Sequence, residues 1–345
     1  MSTGEITEAT SMANVKRGGG RFLDSGLNRM IIWSVALLVV SVLGFAVYYY
    51  VDQSGSGDSG LAARELAVAE QAVRDDPTNI TNRLVLADLY YARQNYEDAA
   101  TQYQEALAIN DKTTLGHVGL GRALMGTGDL AGAAENFQVV IDLSKEEDIS
   151  GKLVQSSYYY LGSIALEQEN PEEAVKNLKQ ATALERSDAD AWYLLGTAYL
   201  QSGNLDEAIN TLGQAILFVP NFTEAYETLA DAFDQKGEAA GALYARGMAA
   251  YSNGDLGDAA DKLETAIAAA PKFAEAHAGL GLVRESQGQK DAAIVAYQEA
   301  LQLKPDNFLA SNGLARLIGA SSGTDLPANH PTAAAGEGSE QGVTP

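Results

Sequence analysis

The sequence predicts an all-α protein. One N-terminal transmembrane helix is followed by a solenoid of about six helix-pair repeats, a half-repeat and capping helices. Three observations predict this fold class. Residues 30–51 are an uncharged apolar run, small residues recur every 34 positions, and a glycine with a capping residue separates the predicted helices.

Composition limits the function classes before any motif is considered. The chain has 345 residues, a formal net charge of −23 and no cysteine. The negative charge argues against nucleic acid as a partner, because sequence-independent binding needs Lys and Arg to replace phosphate counterions. The lack of cysteine removes disulfides, thiolate zinc sites and a cysteine nucleophile. The high apolar share of 46% is enough for a sizeable core.

The apolar run at residues 30–51 predicts a membrane-spanning helix. As a helix it would measure roughly 33 Å, about the thickness of the bilayer hydrocarbon. Aromatic residues at both ends, Trp33 and the tyrosines at 48–50, are typical of the membrane interface. A buried core helix and a cleavable signal peptide are the alternatives. The run is longer than a signal-peptide core and no small-residue cleavage site follows it, so we expect an uncleaved signal anchor.

The charges beside this run predict its orientation. Four basic residues precede it: Lys16, Arg17, Arg21 and Arg29. After the run, the first basic residue is Arg64. The positive-inside rule therefore predicts a single-pass protein with residues 1–29 as a disordered cytoplasmic tail and the repeats outside the cytoplasm. Residues 1–29 are nearly neutral, so the acidity belongs to the part that follows. Residues 52–60, rich in Gly and Ser, are predicted to be a flexible linker.

Two independent series of small residues share one repeat length. The first has spacings of 34, 41, 34, 34, 17 and 34 positions: Ala87, Gly121, Gly162, Gly196, Ala230, Gly247 and Gly281. The second has spacings of 34, 41, 34, 51 and 34: Ala99, Ala133, Ala174, Ala208, Ala259 and Ala293. A common period in both series predicts a repeat array over residues 61–319.

The clearest copy spans residues 189–222. It carries a W, L, G, Y, G, A, L, A and P pattern at Trp192, Leu195, Gly196, Tyr199, Gly203, Ala208, Leu212, Ala215 and Pro220. Period and pattern resemble the tetratricopeptide repeat (TPR), in which two antiparallel helices make one 34-residue unit. The resemblance covers about two-thirds of the chain. It implies a right-handed α-solenoid with a concave groove lined by the first helix of each pair.

Turn residues support the same register. Glycines at five inter-helix turns are predicted to take the left-handed conformation that ends a helix: Gly128, Gly203, Gly237, Gly254 and Gly288. Five Asn or Asp residues are predicted to cap second helices: Asn95, Asp129, Asn170, Asn204 and Asp255.

The register breaks twice. Seven extra residues follow Leu143, which predicts a longer acidic loop or an extended helix end. Around residues 233–254 a half-repeat appears, and Arg246 stands where the pattern expects a buried leucine. Either a second helix is missing there, or the segment 238–253 pairs with both neighbours. We expect a kink at Arg246, and both breaks are predicted places for a partner to bind.

The ends of the array are predicted to be single helices. Residues 61–76 would close the front and residues 307–319 would close the back, as repeat arrays require. Residues 320–345, rich in Gly, Ser, Ala, Pro and Thr, are predicted to be disordered.

The sequence predicts no enzyme. It contains no HExxH, GxSxG or Walker motif, and no cofactor or metal site is predicted. His117 and His277 occupy the Trp192 position of their repeats, which indicates packing residues. The "GLG" at 119–121 and 279–281 follows no strand and contains the close-packing glycine of the repeat, so it does not indicate a dinucleotide loop.

The candidate site is the concave groove. On the geometry that the resemblance implies, its candidate residues are Asp88, Tyr91, Arg122, Met125, Tyr159, Tyr193, Thr197, Glu227, Asp231, Asp234, Tyr244, Met248 and Tyr251. The basic clamp that holds a C-terminal carboxylate in TPR co-chaperones is absent. Tyrosines with carboxylates suit a partner segment with apolar and basic residues. The alternative is that the tyrosines simply cover the array surface.

The predicted function is a membrane-anchored scaffold or assembly factor that binds other proteins or peptide segments in this groove. In layout alone the chain resembles single-span bacterial repeat proteins of protein translocation and cytochrome c maturation. The alternative is a chaperone-like holdase, or an ancillary subunit of such machinery, for exported chains.

Overall fold

The computed structural model describes residues 57–321, and these form fifteen α-helices. The chain divides into two compact units between Ala72 and Val73, a point within the first helix. The helices are α1 (Gly57–Asp75), α2 (Ile80–Ala92), α3 (Tyr96–Ile109), α4 (Thr114–Thr127), α5 (Leu130–Leu143), α6 (Gly151–Glu167), α7 (Pro171–Leu184), α8 (Ala189–Gln201), α9 (Leu205–Phe218), α10 (Thr223–Lys236), α11 (Ala239–Ser252), α12 (Leu256–Ala269), α13 (Ala274–Ser286), α14 (Lys290–Leu303) and α15 (Phe308–Ser321).

None of the helices within residues 57–321 is long and apolar enough to cross a membrane. The predicted membrane helix at 30–51 and the predicted tail at 1–29 lie outside the described residues. So do residues 322–345 of the predicted disordered tail and most of the predicted linker. The described helix α1 begins at Gly57, so it overlaps the last residues of that linker.

From α2 to α9 the helices pack as successive pairs, each first helix against the second helix that follows it. The small residues of the two series lie at these contacts. A Cβ atom placed on Gly196 of α8 would come 2.6 Å from Leu212 Cγ of α9, closer than real side chains approach. Leu212 and the second-series Ala208 have no exposed surface. The repeat pattern predicted from the sequence is therefore the pattern of helix contacts.

The predicted turns are confirmed in their backbone. All five glycines have positive φ, from 75° at Gly203 to 84° at Gly128. Two other turns place Gln94 (φ 62°) and Glu169 (φ 55°) in the same left-handed region without a glycine. Of the five predicted capping residues, three accept a hydrogen bond from a backbone N–H three positions later, and Asn95 and Asn204 do not.

The residues at the Trp192 position share one contact. The Trp192 indole Nε1 donates to the carbonyl oxygen of Arg186, six residues earlier, at 2.8 Å. The ring of His117 bonds to the Asp111 carbonyl at 2.7 Å, and that of His277 to the Pro271 carbonyl at 3.0 Å. The side chain thus ties each first helix to the turn before it, as expected of packing residues.

The insertion after Leu143 lengthens both a loop and a helix. Residues 144–150 form the connection, and α6 then has 17 residues where α8 has 13. Lys112 Nζ pairs with Glu147 in this connection at 2.6 Å, an exposed contact between neighbouring turns. Both predicted forms of the insertion are present.

At the half-repeat, one helix pairs with both of its neighbours. Helix α11 packs against α10 on one side and α12 on the other. A Cβ on Gly241 would meet the Phe233 ring of α10 at 2.5 Å, and a Cβ on Gly247 would meet Leu263 of α12 at 2.9 Å. The two glycines are six residues apart, about 240° around the helix, so they serve different faces. The second alternative for residues 238–253 is therefore confirmed.

The interpretation of Arg246 as a residue at a buried position is wrong. Its side chain is 42% exposed and forms an ion pair with Asp234 of α10. The position before the small residue is buried in three of the four front repeats, as at Leu195, and half-buried at Leu161, because a first helix there has a core on that side. In α11 the same position faces α10 from the solvent edge, where a charged pair is tolerated.

Helix α15 closes the described array by packing on α14 and α13. The Tyr297 ring, which is fully buried, fills the space that a side chain on Gly313 would need. The predicted closing helix is confirmed, and it extends two residues past the predicted end, to Ser321.

Candidate partner-binding face

The predicted groove residues lie on six helices (α2, α4, α6, α8, α10 and α11), and we call this surface the first-helix face. Twelve of the thirteen are exposed or half-buried. Met248 is the exception and corrects the prediction: it is 2% exposed and lies in the core against Gly279 of α13. In α11, which pairs on two sides, the groove position of an ordinary first helix is turned inward.

At the front of the first-helix face, the charged residues already have partners within the chain. The Arg122 guanidinium lies 4.3 Å from the centroid of the Tyr91 ring, a cation–π contact between α4 and α2. Asp88 accepts a hydrogen bond from the hydroxyl of Tyr103. Burial raises the pKa of the Tyr103 phenol, and this hydrogen bond raises it further. These groups stabilise the array and are less available to a partner than their exposure suggests.

At the back of the first-helix face, α10 presents carboxylates. Glu227, Asp231 and Asp234 are exposed, and their spacing places them along one side of the helix. Asp234 pairs with Arg246, while no pair of Glu227 or Asp231 is found within residues 57–321. The carboxylate surface predicted from the sequence is therefore present and partly uncompensated.

In the middle of the face, a first-helix tyrosine meets the residue that begins the next first helix. The ring of Tyr193 contacts that of Phe222, with centroids 5.1 Å apart, and Tyr244 contacts Phe273 at 5.2 Å. Each phenylalanine stands 29 positions after its tyrosine and takes the N-cap position without a side-chain cap. Each pair forms a closed aromatic junction.

The equivalent junction at Tyr159 is open. Twenty-nine positions after Tyr159 stands Asp188, an N-cap whose Oδ1 accepts from the Ala191 N–H at 3.0 Å. A cavity of about 310 Å³ lies there, lined by Gln155, Ser156, Tyr159, Tyr160, Asp188 and Asp190. We call it the Tyr159 cavity.

The walls of the Tyr159 cavity are fixed by their neighbours. The buried Gln155 amide donates to Asp188 Oδ2 at 2.7 Å, so both carboxylate oxygens of Asp188 are held. Tyr160 stacks on Phe137 at 4.8 Å and meets Tyr159 edge-on at 5.4 Å. Burial raises the pKa of the Tyr159 phenol, and the Asp190 and Asp188 carboxylates raise it further, to about 12. The walls of the cavity are therefore aromatic and negatively charged.

Sequence reasoning found Tyr159 but missed Gln155, Tyr160, Asp188 and Asp190. The signal was present in the 29-residue spacing, where an aspartate replaces a phenylalanine. It was not recognised because Asp is a common N-cap residue, which already explains its presence at a helix start.

A second cavity lies at the half-repeat. It has a volume of about 860 Å³, and its lining is mostly apolar, with Phe233, Gly241, Pro271 and Phe273 among the residues that form it. It lies where α10 ends and α11 begins, beside the turn from α12 to α13. This cavity thus lies at the second break in register that the sequence singled out, whereas no residue of the insertion after Leu143 lines the Tyr159 cavity.

The described residues contain no arrangement typical of a metal centre: no group of three or more His, Asp or Glu side chains is placed to hold an ion between residues 57 and 321. The remaining polar groups of the face have structural roles. Thr197 Oγ1 donates to the carbonyl of Tyr193 in its own helix at 3.0 Å. The Tyr251 hydroxyl is 3.2 Å from Ser286 Oγ on α13.

The matches to known protein families lie within the array of helices described above. Two family models described as tetratricopeptide repeat match the chain, one at residues 165–232 and the other at 84–147, 218–263 and 244–308. The last two matches share residues 244–263, parts of α11 and α12. That overlap is expected where one helix belongs to two pairs. None of the curated proteins compared with this chain matches its sequence.

Several solved structures are similar. The C-terminal part of a TPR repeat-containing protein from Cytophaga hutchinsonii is 18% identical with a TM-score of 0.49, over 74% of this chain and 96% of that one. MamA is 24% identical with a TM-score of 0.46, over 51% of this chain and 92% of that one. YrrB, described as a TPR protein with an unusual peptide-binding site, is 17% identical with a TM-score of 0.38, over 71% and 96%.

The family models together match more than half of the chain, and the helix pairs follow the same 34-residue period. The chain belongs to the tetratricopeptide repeat family.

Proposed function

We propose that this protein is a membrane-anchored scaffold that binds segments of other proteins on its first-helix face. Membership of the TPR family supports protein–protein interaction as the general function. The observation that carries the proposal is the first-helix face itself, where tyrosines and uncompensated carboxylates remain accessible after the array has packed. The role is non-catalytic.

The partner segment is basic and partly apolar. The formal net charge of −23 and the exposed carboxylates of α10 attract cationic residues and repel acidic ones. Half-buried tyrosines such as Tyr193 and Tyr244 provide rigid contact area at low entropic cost. The basic residue at the front of the face, Arg122, is covered by Tyr91 and contributes little to the recognition of acidic groups.

The anchor is the apolar run at residues 30–51, and it places the repeats outside the cytoplasm. The support for this part is the sequence: an uncharged run of bilayer length, interfacial aromatics, and basic residues on its N-terminal side alone. Protease added to spheroplasts is expected to digest the repeats and spare residues 1–29. Digestion of the repeats only after the membrane is permeabilised would indicate the opposite orientation.

Proximity labelling from the repeat array, in cells that contain the full chain, tests the scaffold role. A small reproducible set of partners is expected. The double charge reversal Glu227→Lys with Asp231→Lys should deplete that set. A matched reversal on the second-helix surface, Glu172→Lys with Asp261→Lys, changes the net charge equally and should leave it intact.

Two results would contradict the proposal. Equal partner recovery from both double variants would show that the first-helix face does not select partners. Broad capture of unfolded chains, with delayed aggregation of a denatured client, would favour the holdase alternative.

A further inference from the structure

The three junctions between a first-helix tyrosine and the next first helix differ at one residue. Tyr193 and Tyr244 are covered by Phe222 and Phe273, whereas Tyr159 faces Asp188. A phenylalanine buries its ring against the tyrosine and fills the space. An aspartate is smaller and turns its carboxylate toward the helix N-terminus and Gln155, which leaves the Tyr159 cavity open.

The electrostatics of the open junction select a cation. Both oxygens of Asp188 accept hydrogen bonds, yet its charge remains beside Tyr159. The second carboxylate, Asp190, is exposed, and no side chain within residues 57–321 pairs with it. Tyrosine rings present negative π faces, and a carboxylate adds a charged acceptor, so the combination favours a planar cation over a neutral group.

The protein itself shows which side chain fits such a site. One repeat earlier, Arg122 extends from α4 and places its guanidinium over the ring of Tyr91. Tyr91 stands at the twelfth position of its repeat and Tyr159 at the fifth, so this contact is a precedent for the chemistry and not for the place. It shows that an arginine side chain can lie against a tyrosine ring on the first-helix face.

We propose that the Tyr159 cavity is a specificity subsite that binds an arginine side chain of a partner protein segment. The guanidinium lies against Tyr159 and pairs with Asp190. Arginine is favoured because its planar group both stacks on an aromatic ring and makes a bidentate pair with a carboxylate. This inference rests on the proposed function, because it names one residue of the partner that the first-helix face binds.

The test uses N-acetyl-arginine amide as the probe and its neutral isostere, N-acetyl-citrulline amide, as the matched ligand control. The full chain, labelled with 3-fluorotyrosine in detergent micelles, is titrated by 19F NMR. The Tyr159 resonance is assigned from the variant Tyr159→Phe. We expect the arginine probe to shift this resonance saturably and the citrulline probe not to shift it.

Three variants test the geometry. Asp190→Asn removes the pairing charge without changing size and should raise the Kd about fivefold or more. Asp188→Phe, which copies the closed junctions, should abolish binding. Glu224→Gln, the equivalent of Asp190 at the closed Tyr193 junction, should leave the Kd unchanged. Far-UV circular dichroism checks that each variant folds. If Asp188→Phe does not fold, Asp190→Asn, at an exposed position, still decides the test.

Equal shifts with the citrulline probe, or an unchanged Kd in Asp190→Asn, would overturn the subsite. Failure of the subsite can be distinguished from failure of the proposed function. Partner capture that persists while the probe fails to bind removes the subsite and leaves the scaffold role. Probe binding that depends on Asp190, with no partner captured, supports the subsite and removes the scaffold role.

Discussion

The front repeats, α2 to α9, and the half-repeat, α10 to α12, solve the same packing problem differently. In the front repeats a first helix packs between two second helices: Gly121 of α4 meets Phe137 of its own second helix α5, and Gly119 meets Tyr103 of the preceding second helix α3. Helix α11 instead packs between a first helix and a second helix, through Gly241 toward Phe233 of α10 and Gly247 toward Leu263 of α12. A helix can pair closely on two faces only if both lack large side chains, and α11 is correspondingly rich in Ala and Gly. The half-repeat therefore differs in which helices meet: α11 serves as the second helix of α10 and as the first helix of α12.

The largest effect is expected from Leu263→Ala. Leu263 is fully buried and lies against both Gly247 of α11 and Gly279 of α13. Its truncation should cost about 3 kcal/mol of unfolding free energy, the usual range for a core Leu→Ala change. Hydrogen exchange should show lost protection from α11 to α13. Leu184→Ala, at a residue that is 51% exposed, is the control and should change stability by less than about 0.5 kcal/mol.

In the front repeats, Leu212→Ala should cost about as much as Leu263→Ala, since both side chains are fully buried. Leu212 also packs in one core cluster with Tyr226 and Leu229 of α10, so its loss of protection should extend from α8 to α10. If both variants lose protection over the same helices, the front repeats and the half-repeat unfold as one unit.

Opposite signs are expected for one substitution at two glycines. Gly241→Ala puts a methyl group 2.5 Å from the Phe233 ring and should destabilise the array by about 1 to 3 kcal/mol. Gly213→Ala, in α9, meets nothing within 4 Å and should stabilise by up to about 1 kcal/mol, because it removes glycine's backbone freedom. Urea unfolding followed by circular dichroism measures both. A stabilising Gly241→Ala would show that α10 and α11 are not closely packed.

Alkaline pH should destabilise both ends of the array. Burial raises the pKa of Tyr103 and of Tyr297, and hydrogen bonds to Asp88 and Glu285 raise it further. The stability that these phenols contribute is complete below the unfolded value near 10 and is lost as pH rises toward the folded value. Between pH 9 and 11 each should cost at most about 1.4 kcal/mol. Replacing both by phenylalanine should flatten this dependence. An unchanged slope would show that other groups cause it.

The smallest effect is expected at Arg246. The pair with Asp234 is exposed on both sides, so Arg246→Ala should cost no more than about 0.5 kcal/mol, and less in high salt. Thermal unfolding in low and high salt checks this. A loss of several kcal/mol would mean that the half-repeat depends on this ion pair and not on its glycine contacts.

Local residue chemistry explains what could be predicted. The helix pairs, the five left-handed glycines and the packing role of His117 follow from patterns within a few tens of residues. Gln94 and Glu169 could not be assigned to the same turn conformation, because nothing about their side chains requires it. The exposure of Arg246 and the burial of Met248 were mispredicted for one reason: both were placed by analogy with an ordinary first helix, and α11 packs on two sides.

The sequence by itself determined the repeat length, the two breaks in register and the chemistry of the first-helix face. These depend on side-chain size and backbone preference, which each residue carries with it. Only the tertiary structure decided that α11 pairs twice, that Asp88 and Arg122 are engaged within the chain, and that the junction at Tyr159 is open. Each of these depends on contacts between residues 8 to 33 positions apart. Helix packing brings such residues together, and no local pattern specifies which of them will touch.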